Sequence, residues 1–180
     1  MDNQTIQNKV TGEQITFLES AKDNGGGRSV LKFKVEPKAN TPLHYHNRFD
    51  EKFEVLDGVL TVVTGKTKVK LKKDETATAY KTVRHRWINE TSDVTEFLVI
   101  ITPGNLDVEN MFKMYCGLAN DGQSNKHGIP KNPFVLGLMM ELGESRLTGW
   151  MTLISPLLKW LSASARKKGL DKMLYDKYCK

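Results

Sequence analysis

Three histidines and one glutamate form the pattern in this chain with the most chemistry in it. His44 and His46 stand two apart in Pro42-Leu43-His44-Tyr45-His46, so on an extended strand both imidazoles point to one face. Glu51 follows on a run where Phe53 and Val55 share its side while Lys52 and Glu54 take the other. A carboxylate in line with inward apolar residues is expensive to bury unpaired, and a metal ion is its simplest partner. A second stretch, Tyr80 to Asn89, alternates Val83, His85 and Trp87 with Arg84, Arg86 and Ile88. His85 and the two arginines therefore look to opposite faces, and His85 becomes the candidate fourth ligand. His127 sits in a Gly/Asn-rich loop and is left out of the set.

Three neutral imidazoles and a carboxylate suit one divalent transition metal, and Fe, Mn, Ni, Co, Cu and Zn all tolerate such ligands. Open coordination positions would admit a substrate oxygen, dioxygen or water. Glu51 has two readings: ligation, which is preferred, or a catalytic role in which the carboxylate detaches and accepts a proton. The competing interpretation of the whole set is a group of interior histidines satisfied by hydrogen bonds. Trp87 and Asn89 read as fold residues. Phe53 and Val55 read as an apolar lining, which favours an aromatic or other small organic substrate.

Strands must position these groups. From Val10 to Thr102 the chain consists of short β runs separated by turn residues. Leu31, Phe33 and Val35 alternate with Lys32 and Lys34, and Thr67, Val69 and Leu71 alternate with Lys68 and Lys70. Asp57-Gly58 predicts a hairpin between Glu54–Leu56 and Val59–Val63, and Gly65-Lys66 a second one. Further strands are expected near 13–18, 76–80, 83–88 and 94–101, which makes a sandwich or barrel the natural outcome. The run Thr95 to Ile101 is apolar on both faces, as a covered strand would be.

After Pro103-Gly104 the period becomes helical. Val108, Met111, Phe112 and Tyr115 fit one helical stripe. Asn132-Pro133 reads as cap and first-turn proline before Phe134, Val135, Leu138, Met139 and Leu142, with Gly143 as a stop. A last stripe of Trp150, Met151, Ile154, Leu157, Leu158 and Leu161 spans Ser155-Pro156. No apolar run reaches the roughly 20 residues of a membrane span, and no internal repeat stands out.

The spacing His44-x-His46-x4-Glu51-x6-Gly58, followed by His85-x3-Asn89, resembles the two motifs of the cupin superfamily over residues 10 to 104. The likeness is to the single-domain, quercetinase-like members. It implies an all-β domain, the double-stranded β-helix or jelly roll, over residues 1–104, with the first nine or so residues a polar tail. A helical extension with a basic tail would occupy 105–180. It also implies metal ligation by His44, His46, Glu51 and His85, and a homodimer. Family members carry Pro-x-Gly where this chain has Tyr80-Lys81-Thr82, and a glycine where it has Lys38, so the turn into His85 is expected to differ.

The function expected from this set is a mononuclear metal-dependent oxygenase acting on a small organic molecule. A metal-dependent isomerase or lyase, and a small-molecule-binding protein without turnover, are the alternatives. The formal charge of +6 is concentrated in Lys159 to Lys180, where seven basic and two acidic residues account for +5 of it. No basic stripe remains for nucleic acid, which is excluded as a partner. The apolar stripe beside that basic end is expected to cover the barrel or a partner subunit, with an anionic membrane surface as the alternative. Cys116 and Cys179 are far apart in sequence and expected to be reduced bystanders. The polar start, without an apolar core, does not resemble a secretory signal, and a cytoplasmic location is expected.

Overall fold

The computed structural model of the chain describes residues 4–180 and divides into two compact units. One comprises the segment up to Gln7 with Gly12–Leu106, the other Asn8–Thr11 with Asp107–Lys180. Among the described residues the first unit holds ten strands: β1 (Thr5–Gln7), β2 (Gln14–Glu19), β3 (Ser29–Val35), β4 (His44–Tyr45), β5 (Asp50–Asp57), β6 (Leu60–Thr64), β7 (Thr67–Leu71), β8 (Thr76–Ala79), β9 (His85–Ile88) and β10 (Thr95–Thr102). One sheet runs β1-β2-β3-β10-β5-β8 and in the other β4, β9, β6 and β7 lie side by side, with every pairing antiparallel.

Period-2 alternation explains the core. Leu31, Phe33 and Val35 of β3, Phe53 and Val55 of β5, and Phe97, Val99 and Ile101 of β10 are all buried. Phe33 stacks on Phe97 with centroids 5.5 Å apart, and Trp87 meets Phe97 edge-on at 5.2 Å. On the opposite face Lys32 and Lys34 reach Glu96 at 3.6 and 3.4 Å. These pairs are partly exposed and contribute at most about 1 kcal/mol each. β10 is central between β3 and β5, and its outer face of Glu96, Leu98 and Ile100 is half-buried.

Three expectations change. Asp57-Gly58 does not close a hairpin, because β5 pairs with β10 and β8 whereas β6 pairs with β7 and β9. It is a corner where the chain passes from one sheet to the other. Gly58 has φ 82°, and a Cβ there would lie 3.0 Å from the Val94 carbonyl oxygen. Positive φ was legible in the dipeptide; which strand came next beside β5 was not. Gly65-Lys66 does close the β6–β7 hairpin, with Thr64 opposite Thr67. The polar tail is also shorter than expected. Met1–Asn3 lie outside the described residues, but Thr5–Gln7 pairs with Gln14–Thr16 as an edge strand. Finally, the chain as a whole is not all-β, since the second unit is helical.

That second unit contains α1 (Leu106–Asn120), α2 (Pro133–Leu142), α3 (Ser155–Lys167) and α4 (Leu170–Tyr178). The α1 residues that pack on its core are Met114 and Leu118, flanked by Met111 and Tyr115 of the expected stripe. Asn132 caps α2 as predicted, its Oδ1 accepting from the Phe134 N–H, and Pro133 opens the first turn. The Asp or Glu side chains of the last helices are mostly engaged: Glu141 accepts from the Ser162 hydroxyl and pairs with Arg166 at 3.0 Å.

α3 buries small residues. Leu161, Ser162 and Ala165 are its buried positions. α2 meets it at Gly137, where a Cβ would lie 2.8 Å from both the Leu158 carbonyl and Leu161 Cβ. Of the apolar stripe expected here, Leu161 is buried, Met151 and Leu158 are half-buried, and the remaining three side chains are exposed in the single chain. Trp150 and Leu153, in the 3-10 segment Gly149–Ile154 before α3, are 78% and 80% exposed, and Ile154, Leu157 and Trp160 are exposed as well. Among the described residues no helix is long and apolar enough to cross a membrane.

Candidate metal centre

The four residues singled out by spacing converge inside the first unit. His44 on β4 lies directly opposite His85 on β9 in the antiparallel register. His46 follows β4 by one residue. Glu51 comes from the other sheet, on β5, opposite Ala79 of β8 and Ile101 of β10. One potential ligand atom from each of the four lies within 4.8 Å of the others. Imidazole centroids are 4.7 Å apart for His44 and His46, 4.6 Å for His44 and His85, and 5.1 Å for His46 and His85. His46 and His85 are buried, and Glu51 and His44 nearly so.

Hydrogen bonds orient the rings. His44 Nδ1 is 2.7 Å from the Pro42 carbonyl oxygen and His85 Nδ1 is 2.9 Å from that of Val83. A carbonyl only accepts, so each Nδ1 carries a proton and each ring turns its Nε2 inward, where the neutral form offers a lone pair. Those inward atoms then meet other acceptors: His85 Nε2 is 2.9 Å from Glu51 Oε2, and His44 Nε2 is 3.1 Å from His46 Nε2. His46 Nε2 is 3.7 Å from the same carboxylate oxygen. Lone pairs at such distances are satisfied by a proton on one of the inward nitrogens or by a metal ion among them. The 2.9 and 3.1 Å separations are close to those of neighbouring ligands around an ion with bonds of about 2.1 Å, which at angles of 90–110° stand roughly 3.0–3.4 Å apart, whereas 3.7 Å is longer.

The ionisation of the group tells the same physical story. Burial drives the His44 ring down to about 4, so it stays neutral. Burial would raise Glu51, but the hydrogen bonds and charge of His46 and His85 outweigh it and hold the carboxyl well below the ordinary range. Burial would lower His85, yet its contact with the Glu51 carboxylate raises it. Without a metal, a proton held by His85 is the positive charge between the two.

The turns that deliver the histidines carry a finding about the sequence departures noted above. Lys38 and Thr82, which stand where glycines were expected, both adopt φ 67°. Thr82 donates its N–H to the His46 carbonyl at 2.6 Å. The turn into His85 therefore keeps the glycine-type backbone, contrary to the expected change. A β-branched residue in the left-handed region is strained by roughly 1–2 kcal/mol, and the hydrogen bond to the His46 segment helps hold it there. Asn89 is the fold residue it was read as, donating to the Glu36 and Asp93 carbonyls and accepting from the Thr91 N–H and hydroxyl.

A family model described as Cupin domain matches residues 31–101, the stretch from β3 to β10 that contains all four converging residues. That stretch of the chain is a cupin domain. Among solved structures, an RmlC-like cupin from Shewanella frigidimarina is 15% identical, with TM-score 0.50 over 59% of this chain and 88% of that one. A predicted oxalate decarboxylase from Thermotoga maritima is 20% identical, with TM-score 0.49 over 56% and 90%. KdgF from Halomonas sp. is 19% identical, with TM-score 0.49 over 59% and 90%. These likenesses are likenesses of fold. No curated protein matches the chain.

One lining residue escaped the sequence reading. Phe49 is buried and stacks on His46, with centroids 4.3 Å apart and planes at 28°. It stands two residues before Glu51, in the same period-2 register as Glu51, Phe53 and Val55, and that alternation carried one step back was the available clue. Of the residues expected to line the interior, Phe53 and Val55 are buried, and Phe53 lies 6.3 Å from the His85 ring.

Proposed function

We propose that the cupin domain holds one divalent transition metal on His44, His46, Glu51 and His85 and acts as an oxygenase on a small organic substrate. The observation that carries this reading is the set of inward acceptor atoms, His44 Nε2, His85 Nε2 and Glu51 Oε2, fixed by carbonyl hydrogen bonds on the far side of two rings. A bound ion of this kind supplies Lewis-acid and redox chemistry. The chain's own contribution is to orient the ligands through Pro42 and Val83, to exclude water with Phe49 and Phe53, and to leave Glu51 as a ligand rather than a free base. The apolar aromatic lining favours an organic, aromatic substrate over a sugar phosphate.

An isomerase or lyase would use the same ligands and would need a proton-transfer group besides them. The other buried polar side chains of the first unit, Ser29, Thr61, Asn89 and Thr95, supply none that titrates near neutrality. That favours the oxygenase over the isomerase or lyase, though it equally suits a binding protein without turnover, with a homodimer, a small-molecule substrate and a cytoplasmic location as further parts of the proposal.

Elemental analysis of protein purified without a metal-affinity tag should give close to one transition metal per chain, and His46→Ala should bring it well below one. Oxygen uptake with candidate phenols and enols should require the metal. Full metal loading with substrate conversion but no oxygen uptake would replace the oxygenase by an isomerase or lyase. Unchanged metal content in His46→Ala would remove the ligand assignment itself.

A further inference from the structure

The strongest feature outside the metal centre is an open apolar ridge beside a run of cations. Trp150, Leu153, Ile154, Leu157 and Trp160 recur at helical spacing from the 3-10 segment into α3, and every one is exposed. Isolated exposed apolar side chains are ordinary, whereas five large ones in one row mark a contact surface. α3 also inverts the usual arrangement. Its inward positions are Leu161, Ser162 and Ala165, drawn against Gly137 of α2 at backbone distance, while its bulkiest residues face out. Close packing on α2 and the Ser162–Glu141 and Arg166–Glu141 contacts hold the helix in that orientation.

Charge indicates the occupant. From Ser145 to Leu170 the sequence has five cations, Arg146, Lys159, Arg166, Lys167 and Lys168, and no Asp or Glu. Arg166 is engaged by Glu141 and Asp171, but Lys159 and Lys167 form no ion pair among the described residues. Lys167 stands seven residues beyond Trp160 and so continues the same helix face. A second copy meeting this ridge about a two-fold axis would set that single-sign charge against itself. A row of Leu and Ile bounded by two tryptophans and flanked by lysines instead matches the zone between headgroups and acyl chains, where aromatic rings settle and cations face anionic lipid.

We propose that the Trp150–Trp160 ridge docks the protein on an anionic lipid bilayer, lying in the interface rather than crossing it. Leu153 and Leu157 enter the acyl boundary, Trp150 and Trp160 sit at headgroup level, and Lys159 and Lys167 meet the lipid phosphates.

The test is flotation of the full chain with vesicles of equal parts phosphatidylglycerol and phosphatidylcholine, against vesicles of phosphatidylcholine alone. The protein should float with the anionic vesicles, stay largely free of the neutral ones and be released by high salt. Leu153→Asp should abolish flotation, and Lys159→Gln with Lys167→Gln should weaken it on the order of 30-fold, at about 1 kcal/mol per basic residue. Because all three positions are exposed, thermal unfolding of these variants should match that of the parent, which separates lost docking from lost fold. Binding also should survive His46→Ala, since it does not depend on the metal centre. Failure to float with anionic vesicles, equal binding to neutral ones, or a dimer that Leu153→Asp splits while flotation is unaffected would each overturn the proposal.

Discussion

The β-unit and the helical unit break the rule of apolar inside and polar outside in opposite senses. In the first, Phe33, Phe53, Phe97 and Ile101 are fully buried as expected, and the exception is a knot of imidazoles and a carboxylate among them. In the second, small residues of α3 are buried and the exception is a row of tryptophan, leucine and isoleucine left in water. Each exception costs free energy in the isolated chain, the one through desolvated polar groups and the other through exposed apolar surface. On the readings proposed above, each would be offset by something the chain does not itself contain, a cation in one unit and a bilayer in the other.

If the contrast is real, the two units respond to different perturbations. The largest expected effect is at Glu51. Glu51→Gln removes the sole carboxylate of the cluster and should weaken metal binding by more than the roughly 10–100-fold that follows loss of an outer-shell partner, measured by competition with a chelator. Vesicle flotation should not change. Next is Gly137→Val, which forces side-chain atoms into the Leu158 and Leu161 contact. It should destabilise the helical unit by about 1–3 kcal/mol, read by denaturant unfolding, with metal content unaltered.

Smaller, and specific to the metal centre, is the response to pH. The pKa of His85 is raised above its ordinary 6.5 by Glu51, so in metal-free protein its contribution to stability is fully present below pH 6.5 and is lost as pH rises through the raised value. Glu51 is lowered from 4.5, so its contribution is present above pH 4.5 and lost on acidification through the lowered value. Chelator-treated protein should therefore lose stability from mildly acidic to mildly alkaline pH. Metal loading should show the opposite trend, tightening as pH rises, because His85 must release its proton to become a ligand. Calorimetric titration in buffers of different ionisation enthalpy would count that proton. A pH-independent metal affinity would contradict the protonated His85–Glu51 pair.

The smallest effect is at Thr82. Thr82→Gly relieves a β-branched residue at φ 67° and should stabilise the metal-loaded protein by about 1 kcal/mol, with metal content retained. Thermal unfolding of the two forms would show it. A destabilised Thr82→Gly protein would mean that the threonine side chain makes a contribution larger than the strain.

Much of the β-unit was legible because strands with one buried face write their orientation at every second residue. Leu31-Phe33-Val35, Phe53-Val55 and His85-Trp87 each turned inward as their spacing required. What misled was pairing: Asp57-Gly58 has the chemistry of a hairpin turn and serves as a corner, since positive φ is needed in both. In α1 the expected stripe turns inward at Val108, Met111 and Tyr115, but hydrophobicity did not reveal that Glu109 is buried as well. Lys38 and Thr82 hid a glycine-type backbone shape behind residues that do not advertise it.

By itself the sequence determined the four converging residues, the faces of most strands, the cap of α2 and the concentration of charge from Lys159 on, because all of these follow from local spacing and side-chain chemistry. Only the tertiary structure decided that β5 and the β4–β9 pair face each other across two sheets, that carbonyls of Pro42 and Val83 fix the imidazole tautomers, and that the Trp150–Trp160 row stays open. These depend on which segments meet across long stretches of chain, and that choice is made by the total free energy of packing rather than by any local window.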